Sequence, residues 1–159
     1  MFQKIESTVY PPQIPTLVWD GDCTFCKFWK TRWEMRTNGK LSFKPYQQVT
    51  ENFPDIPVKE FKKASRFIDT DGQIYSGPDS AYRSLYVSGN SFWHKLYRSQ
   101  RWFEWLSDFG YNHIAKNRSF YYKMTINFFG KNPQRLRYYW VLYLIGLCIF
   151  MGWLHRCLL

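Results

Sequence analysis

Short apolar runs, each closed by a turn-forming cluster, divide the first ninety residues into recognisable pieces. Thr16-Leu17-Val18-Trp19 is a β-prone run broken by Asp20-Gly21-Asp22, the composition of a strand-to-helix turn. From Thr24 to about Arg36, Phe25, Phe28, Trp29, Trp33 and Met35 recur near helical spacing, and Asn38-Gly39 supplies the left-handed residues that end a helix. Leu41-Ser42-Phe43-Lys44 alternates as a second strand and stops at Pro45. Pro54 and Pro57 punctuate the next stretch before a short helix, Val58 to Lys63. Ser65-Arg66-Phe67-Ile68-Asp69 and Gln73-Ile74-Tyr75-Ser76 flank Thr70-Asp71-Gly72, which predicts a hairpin. Gly77-Pro78-Asp79 then opens a helix that closes near Ser88-Gly89-Asn90.

The resulting order, β-α-β-α-β-β-α, is that of a thioredoxin-like α/β domain with a parallel first pair of strands and a closing hairpin. Residues 1–15 are polar and proline-punctuated and read as an irregular arm, with the core over 16–90. Over 91–130 the pattern changes: Phe92, Trp93, Leu96, Tyr97, Trp102, Phe103, Trp105, Leu106 and Phe109 alternate with Lys95, Arg98 and Arg101. Such amphipathic helices either pack on the domain or lie in a bilayer interface. Tyr138 to Leu154 is a run of 17 residues without charge, at the short end of the roughly 17–25 that span a bilayer. With Tyr138, Tyr139 and Trp140 at one edge and Trp153 at the other, it predicts a single C-terminal transmembrane helix over 138–157.

Charge sharpens this division. The chain has 22 basic and 12 acidic residues, and none of the acids lies beyond Asp108. Lys116, Arg118, Lys123, Lys131, Arg135, Arg137 and Arg156 therefore form an acid-free tail suited to a polyanion, either nucleic acid or anionic lipid. Aromatic residues at 21% fit both an RNA-stacking surface and a membrane interface. The uncharged run favours lipid, and no RNA-binding signature is present. Only Arg156 follows the run, so the basic bias predicts a membrane protein with its domain on the cytoplasmic side.

The candidate chemistry lies in Cys23-Thr24-Phe25-Cys26. At a strand-to-helix junction, one helical turn brings two such sulfurs within bonding reach. It leaves the first at the helix N-terminus, where unpaired N–H groups and the helix dipole favour thiolate. Cys23 is the expected nucleophile and Cys26 the more buried resolving thiol. Lys27 would help hold the thiolate, while Asp20 and Asp22 oppose it. Asp22 is the expected helix N-cap, and one of the two aspartates would otherwise accept a proton from Cys26. A zinc site would need four ligands, yet Cys148 and Cys157 lie in the apolar run and His94, His113 and His155 show no ligand spacing. Covalent haem attachment is excluded by Lys27, where that signature needs His. Two incidental cysteines remain the bland alternative. No metal and no cofactor are expected.

Trp19-Asp20-Gly21-Asp22-Cys23-Thr24-Phe25-Cys26 resembles the Tyr-Asp-Gly-x-Cys-x-x-Cys signature of the DCC-family thiol–disulfide oxidoreductase-like proteins, with Trp19 in place of the usual Tyr. The resemblance continues through Leu41-Ser42-Phe43-Lys44-Pro45, through Asp71 to Ala81, and through Tyr111-Asn112-His113-Ile114-Ala115-Lys116-Asn117-Arg118. It implies a thioredoxin-like fold and dithiol–disulfide exchange by Cys23 and Cys26, and names no substrate. Thioredoxins place a cis-proline before the third strand. Here Lys62-Lys63-Ala64-Ser65 stands there, so substrate docking must differ.

Other features are explained locally. Asp69-Thr70-Asp71-Gly72 lacks the later acids of a calcium loop and is a turn. Asp79 fits helix initiation, with a site role as the less favoured reading. Asn117-Arg118-Ser119 has only the form of a glycosylation sequon, and Cys148 and Cys157 read as packing residues or juxtamembrane acylation sites. The expectation is a disulfide reductase acting on a protein or small thiol at the membrane, with membrane lipid and no nucleic acid as partner. A non-catalytic membrane adaptor using the aromatic, basic tail is the rival.

Overall fold

The structure is a computed structural model that describes residues 2–158, without the side chains at 152, 155, 157 and 158. Its sheet has four strands in the order β2-β1-β3-β4, where β1 is Thr16–Trp19, β2 Ser42–Pro45, β3 Arg66–Ile68 and β4 Ile74–Ser76. β1 runs parallel to β2, pairing Leu17 with Phe43, and antiparallel to β3, pairing Leu17 with Phe67. β3 and β4 form the expected hairpin, with Phe67 opposite Tyr75. The parallel first pair needs a crossover, which is helix α1 (Thr24–Thr37). Asn38 ends α1 in the left-handed conformation at φ 47°, as its sequence predicted.

Two apolar layers sandwich the sheet. On one side Val18, Ile68 and Ile74 pack with Tyr46, Val49, Phe53, Ile56 and Phe61. On the other, Leu17, Phe67, Tyr75 and Leu41 meet Trp33, Phe43 and Val87. The first layer is supplied by α2 (Tyr46–Val49), a 3-10 turn (Thr50–Asn52) and α3 (Val58–Lys63). Of these only α3 was legible in the chain; α2 directly follows Pro45 and is a single turn with no hydrophobic period to betray it. Helix α4 (Pro78–Val87) covers β3 and β4 from the other side.

The arm at residues 2–15 has little regular structure but runs along the free edge of β4. The Ile74 N–H donates to the Glu6 carbonyl at 2.8 Å, and the Thr8 N–H to that of Gly72 at 2.9 Å. Covering an edge strand in this way removes a template for aggregation. Phe2 is buried against Gly77, where a Cβ would stand 2.6 Å from its ring.

The arm is fastened by a fully buried arginine. Arg66 in β3 donates to the Gln3 carbonyl (2.6 Å), to the Ser76 hydroxyl and to the Glu60 carboxylate (3.3 Å). It thereby joins arm, hairpin and α3 at one point. A charge with no solvent access is tolerated only with such partners.

Beyond residue 90, helices α5 (Phe92–Ser99), α6 (Arg101–Lys116) and α7 (Arg118–Phe129) pack on the domain with one face each. Tyr97 and Phe103 each pack a tilted ring against Tyr82, and the Tyr97 hydroxyl donates to the buried Asp108 at 2.7 Å. The opposite face of α6 leaves Trp102, Trp105, Leu106 and Phe109 exposed.

A final helix, α8 (Tyr139–Leu158), occupies the uncharged run, with Val141, Leu142, Leu144, Ile145 and Ile149 exposed. The expected transmembrane helix over 138–157 is nevertheless not supported: among the described residues no helix is long and apolar enough to cross a membrane. Tyr139, Trp140 and Tyr143 at the start and His155-Arg156 at the end thin its apolar character. Cys148 is exposed on α8, while the side chain of Cys157 lies outside the described residues.

The Lys63 ammonium, 2.8 Å away, holds the Glu60 carboxyl below the usual range against the opposing effect of burial. A depressed carboxyl contributes stability above its unfolded value near 4.5, and that contribution is lost as pH falls through the lower folded value. Glu60→Gln should leave Arg66 without its counter-charge and destabilise the fold by about 3–5 kcal/mol in urea unfolding at pH 7. The variant's stability should also fall less steeply than the wild type's below pH 4.5. A loss under 1 kcal/mol would show that Arg66 does not depend on Glu60.

Candidate redox site

The site is built from the turn between β1 and α1. Asp20 shapes it: its carboxylate accepts the Asp22 N–H at 3.2 Å, and its carbonyl accepts the Cys23 N–H at 3.2 Å. Short polar side chains that bond backbone two residues on are the usual makers of such turns. Cys23 then takes the N-cap position of α1, with φ −90° and ψ 109°. Its Sγ accepts the Cys26 N–H at 3.1 Å, and its carbonyl accepts the Lys27 N–H at 2.9 Å. The sulfur thus sits on one of the unpaired N–H groups that a helix start provides.

This corrects the expected cap. Asp22 stands one residue too early to cap α1, and its carboxylate instead accepts the Gln47 amide at 3.0 Å. Cys23 and Cys26 are joined as a disulfide, their Cα atoms 5.2 Å apart. Both are half-buried, so the expected burial of Cys26 relative to Cys23 is not a marked one. Thr24 and Lys27 are exposed, and the Lys27 ammonium forms no ion pair among the described residues. Phe25 is half-buried and meets Trp29 edge-on at 6.4 Å; Trp29 in turn meets Phe129 of α7 at 6.3 Å.

Two residues that sequence reasoning did not place at the site hold the turn from either side. Gln47 of α2 accepts the Gly21 N–H at 3.2 Å while donating to Asp22. Arg118, the first residue of α7, donates to the Asp20 carboxylate at 2.7 Å and to the Lys62 and Lys63 carbonyls at 3.1 and 3.4 Å. Neither contact has a local sequence signal, since the partners are 25 to 26 and 98 residues apart. Asp79 lies elsewhere, buried between His94 (3.2 Å) and Arg98 (2.6 Å), where it ties α4 to α5.

The family description of the DCC1-like thiol-disulfide oxidoreductases matches residues 17–123. The chain belongs to that family. The match runs from the second residue of β1 through the cysteine pair to the first half of α7, and leaves out α8. No curated protein and no solved structure matches the chain.

Gly21 is required by close approach rather than by its backbone angles. A Cβ there would lie 2.9 Å from both the Gln47 Oε1 and the Pro45 Cβ. Gly21→Ala should therefore displace the turn and destabilise the protein by about 1–3 kcal/mol, read from the thermal midpoint. An unchanged midpoint would mean that Gln47 swings aside freely.

Proposed function

We infer that the protein is a dithiol–disulfide oxidoreductase of thioredoxin-like fold that acts on a disulfide of a protein or a small thiol. The observation that carries this reading is the Cys23 sulfur at the N-cap of α1, bonded to Cys26 and half-open to solvent. The reduced Cys23 thiolate attacks one sulfur of a substrate disulfide, forming a mixed disulfide and expelling the other sulfur as a thiolate. Cys26 gives its proton to the thiolate just expelled and attacks the Cys23 sulfur. The substrate's second thiolate leaves, two electrons have passed to the substrate, and the Cys23–Cys26 bond is formed. A helix start favours this because thiolate is both attacking and leaving group.

The sheet order β2-β1-β3-β4, with one parallel and two antiparallel pairs, supports the thioredoxin-like description. Docking of substrate differs from thioredoxin, since Ser65 rather than a proline precedes β3.

The same reading places the protein against the cytoplasmic face of a membrane. Its support is the exposed apolar surface of α8 together with an acid-free basic tail, which suits anionic lipid. Lipid contact is read as attachment to the surface by α8, with the redox domain outside the bilayer.

Cys23→Ser should abolish turnover of a model disulfide, and Cys26→Ser should accumulate a mixed disulfide whose partner identifies the substrate. Activity that survives Cys23→Ser would remove Cys23 as the nucleophile, and a wild-type cysteine pair with no turnover would favour the adaptor. For the membrane, the full chain should float with vesicles containing anionic lipid and be released by alkaline carbonate. Failure to float at low salt would remove the lipid partner.

A further inference from the structure

Arg118 is the one basic residue of the acid-free tail that reaches the redox turn by a described ion pair. It is half-buried, and its two ends of contact belong to different elements. Nη1 faces the Asp20 carboxylate; Nη2 faces the last carbonyls of α3, which have no partner within their helix. A guanidinium at a helix C-terminus is favoured both as a hydrogen-bond donor and by the dipole. The segment leaving α3 is Ala64-Ser65, directly before β3. One side chain thus links the turn that presents Cys23 to the chain that enters β3.

The electrostatics at Asp20 give the contact a chemical consequence. Asp20 builds the turn that places the sulfur, so its carboxylate is held in the neighbourhood of Cys23. Left alone, that negative charge would oppose thiolate formation and hence the reduced state. Paired with Arg118, the carboxylate keeps its structural role while its field at the sulfur is largely cancelled.

We propose that Arg118 is a positioning residue of the redox centre, which fixes Asp20 to α3 and neutralises it so that the Cys23 thiolate is not repelled. This rests on the dithiol–disulfide reading above. The redox step is the one already given, and Arg118 neither gains nor loses a proton in it. The last motif of the family resemblance, Lys116-Asn117-Arg118, and the first, Asp20-Gly21-Asp22-Cys23, then meet in one ion pair.

The test uses the full chain and needs no protein substrate. The dithiol is equilibrated with reduced and oxidised glutathione, and the rate of Cys23 alkylation by iodoacetamide is measured at pH 7. Arg118→Ala should shift the dithiol equilibrium toward the disulfide by about tenfold, ~30 mV, and slow alkylation by a similar factor. Arg118→Lys should restore most of the potential by restoring the charge. The double variant Asp20→Asn with Arg118→Ala should return to within about twofold of wild type in potential, because the uncompensated carboxylate is gone. A purely structural arginine would leave the double variant no better than the single one.

If Arg118→Ala fails to fold, Arg118→Gln, which keeps a hydrogen-bond donor without the charge, replaces it in both the single and the double variant with the same outcomes expected. A potential within about twofold of wild type in Arg118→Ala, or a double variant no closer to wild type than the single, overturns the proposal. A wild-type dithiol that cycles with glutathione but turns over no substrate refutes the enzyme reading alone. One that does not cycle at all overturns both.

Discussion

The junction between β1 and α1 must do two things that pull against each other. It must end a buried strand and start a helix within four residues, and it must leave a sulfur at the helix start able to carry charge. The Asp20 carboxylate meets the first demand by accepting the Asp22 N–H and the second only because Arg118 stands against it. Take away the carboxylate and the turn loses its internal bond; take away its counter-ion and the sulfur faces an uncompensated anion. Gln47 on the other flank carries no charge, so it can hold Gly21 and Asp22 without altering this balance. The geometry of the cysteine pair is therefore a property of α2, α3 and α7 as much as of its own helix.

A second charged contact governs the domain that supports this junction. Arg66 is fully buried in β3, and its partners come from the arm, α3 and β4. α3 is thereby fixed at two points, by Glu60 toward Arg66 and by its terminal carbonyls toward Arg118. Since the Ser65 N–H next to it donates to the Tyr111 hydroxyl and the Ser65 hydroxyl bonds that of Ser80, the approach to β3 is held by α6 and α4 as well. The chain that enters β3 is thus positioned by polar contacts from three helices.

These contacts explain what the chain did and did not disclose. Local signals were reliable where the physics is local: Asn38-Gly39 closes α1, Thr70-Asp71-Gly72 turns the hairpin, and Pro78 opens α4. β1 and α3 have the predicted bounds, and the sheet has the predicted parallel pair and hairpin. α2 escaped notice because one turn has too few residues to show a period. The cap was misassigned to Asp22 because aspartate is the stronger capping residue in general, whereas here the backbone reaches helical angles only at Thr24. Gln47 and Arg118 had no local pattern at all, since their roles arise from the fold. For Arg118, the only trace was its place in an acid-free tail: a half-buried cation there has to find its carboxylate far away in the chain.

The tail shows how composition can mislead when read as a sum. α5 and α6 look amphipathic because they are, yet their inward faces are polar at decisive points: Asp108 meets Lys4 and Tyr97, and Asp79 meets Arg98. Every acid on these helices is thus spent on an inward or lateral bond, Glu104 on Lys4 included. What faces outward is the aromatic stripe of α6 with no free carboxylate beside it. The same arrangement recurs at Arg118, where the last acid-free segment reaches back to an aspartate of the redox turn. The acids of these helices are engaged in holding the fold, and the Arg118–Asp20 pair is the place where the basic tail touches the redox turn.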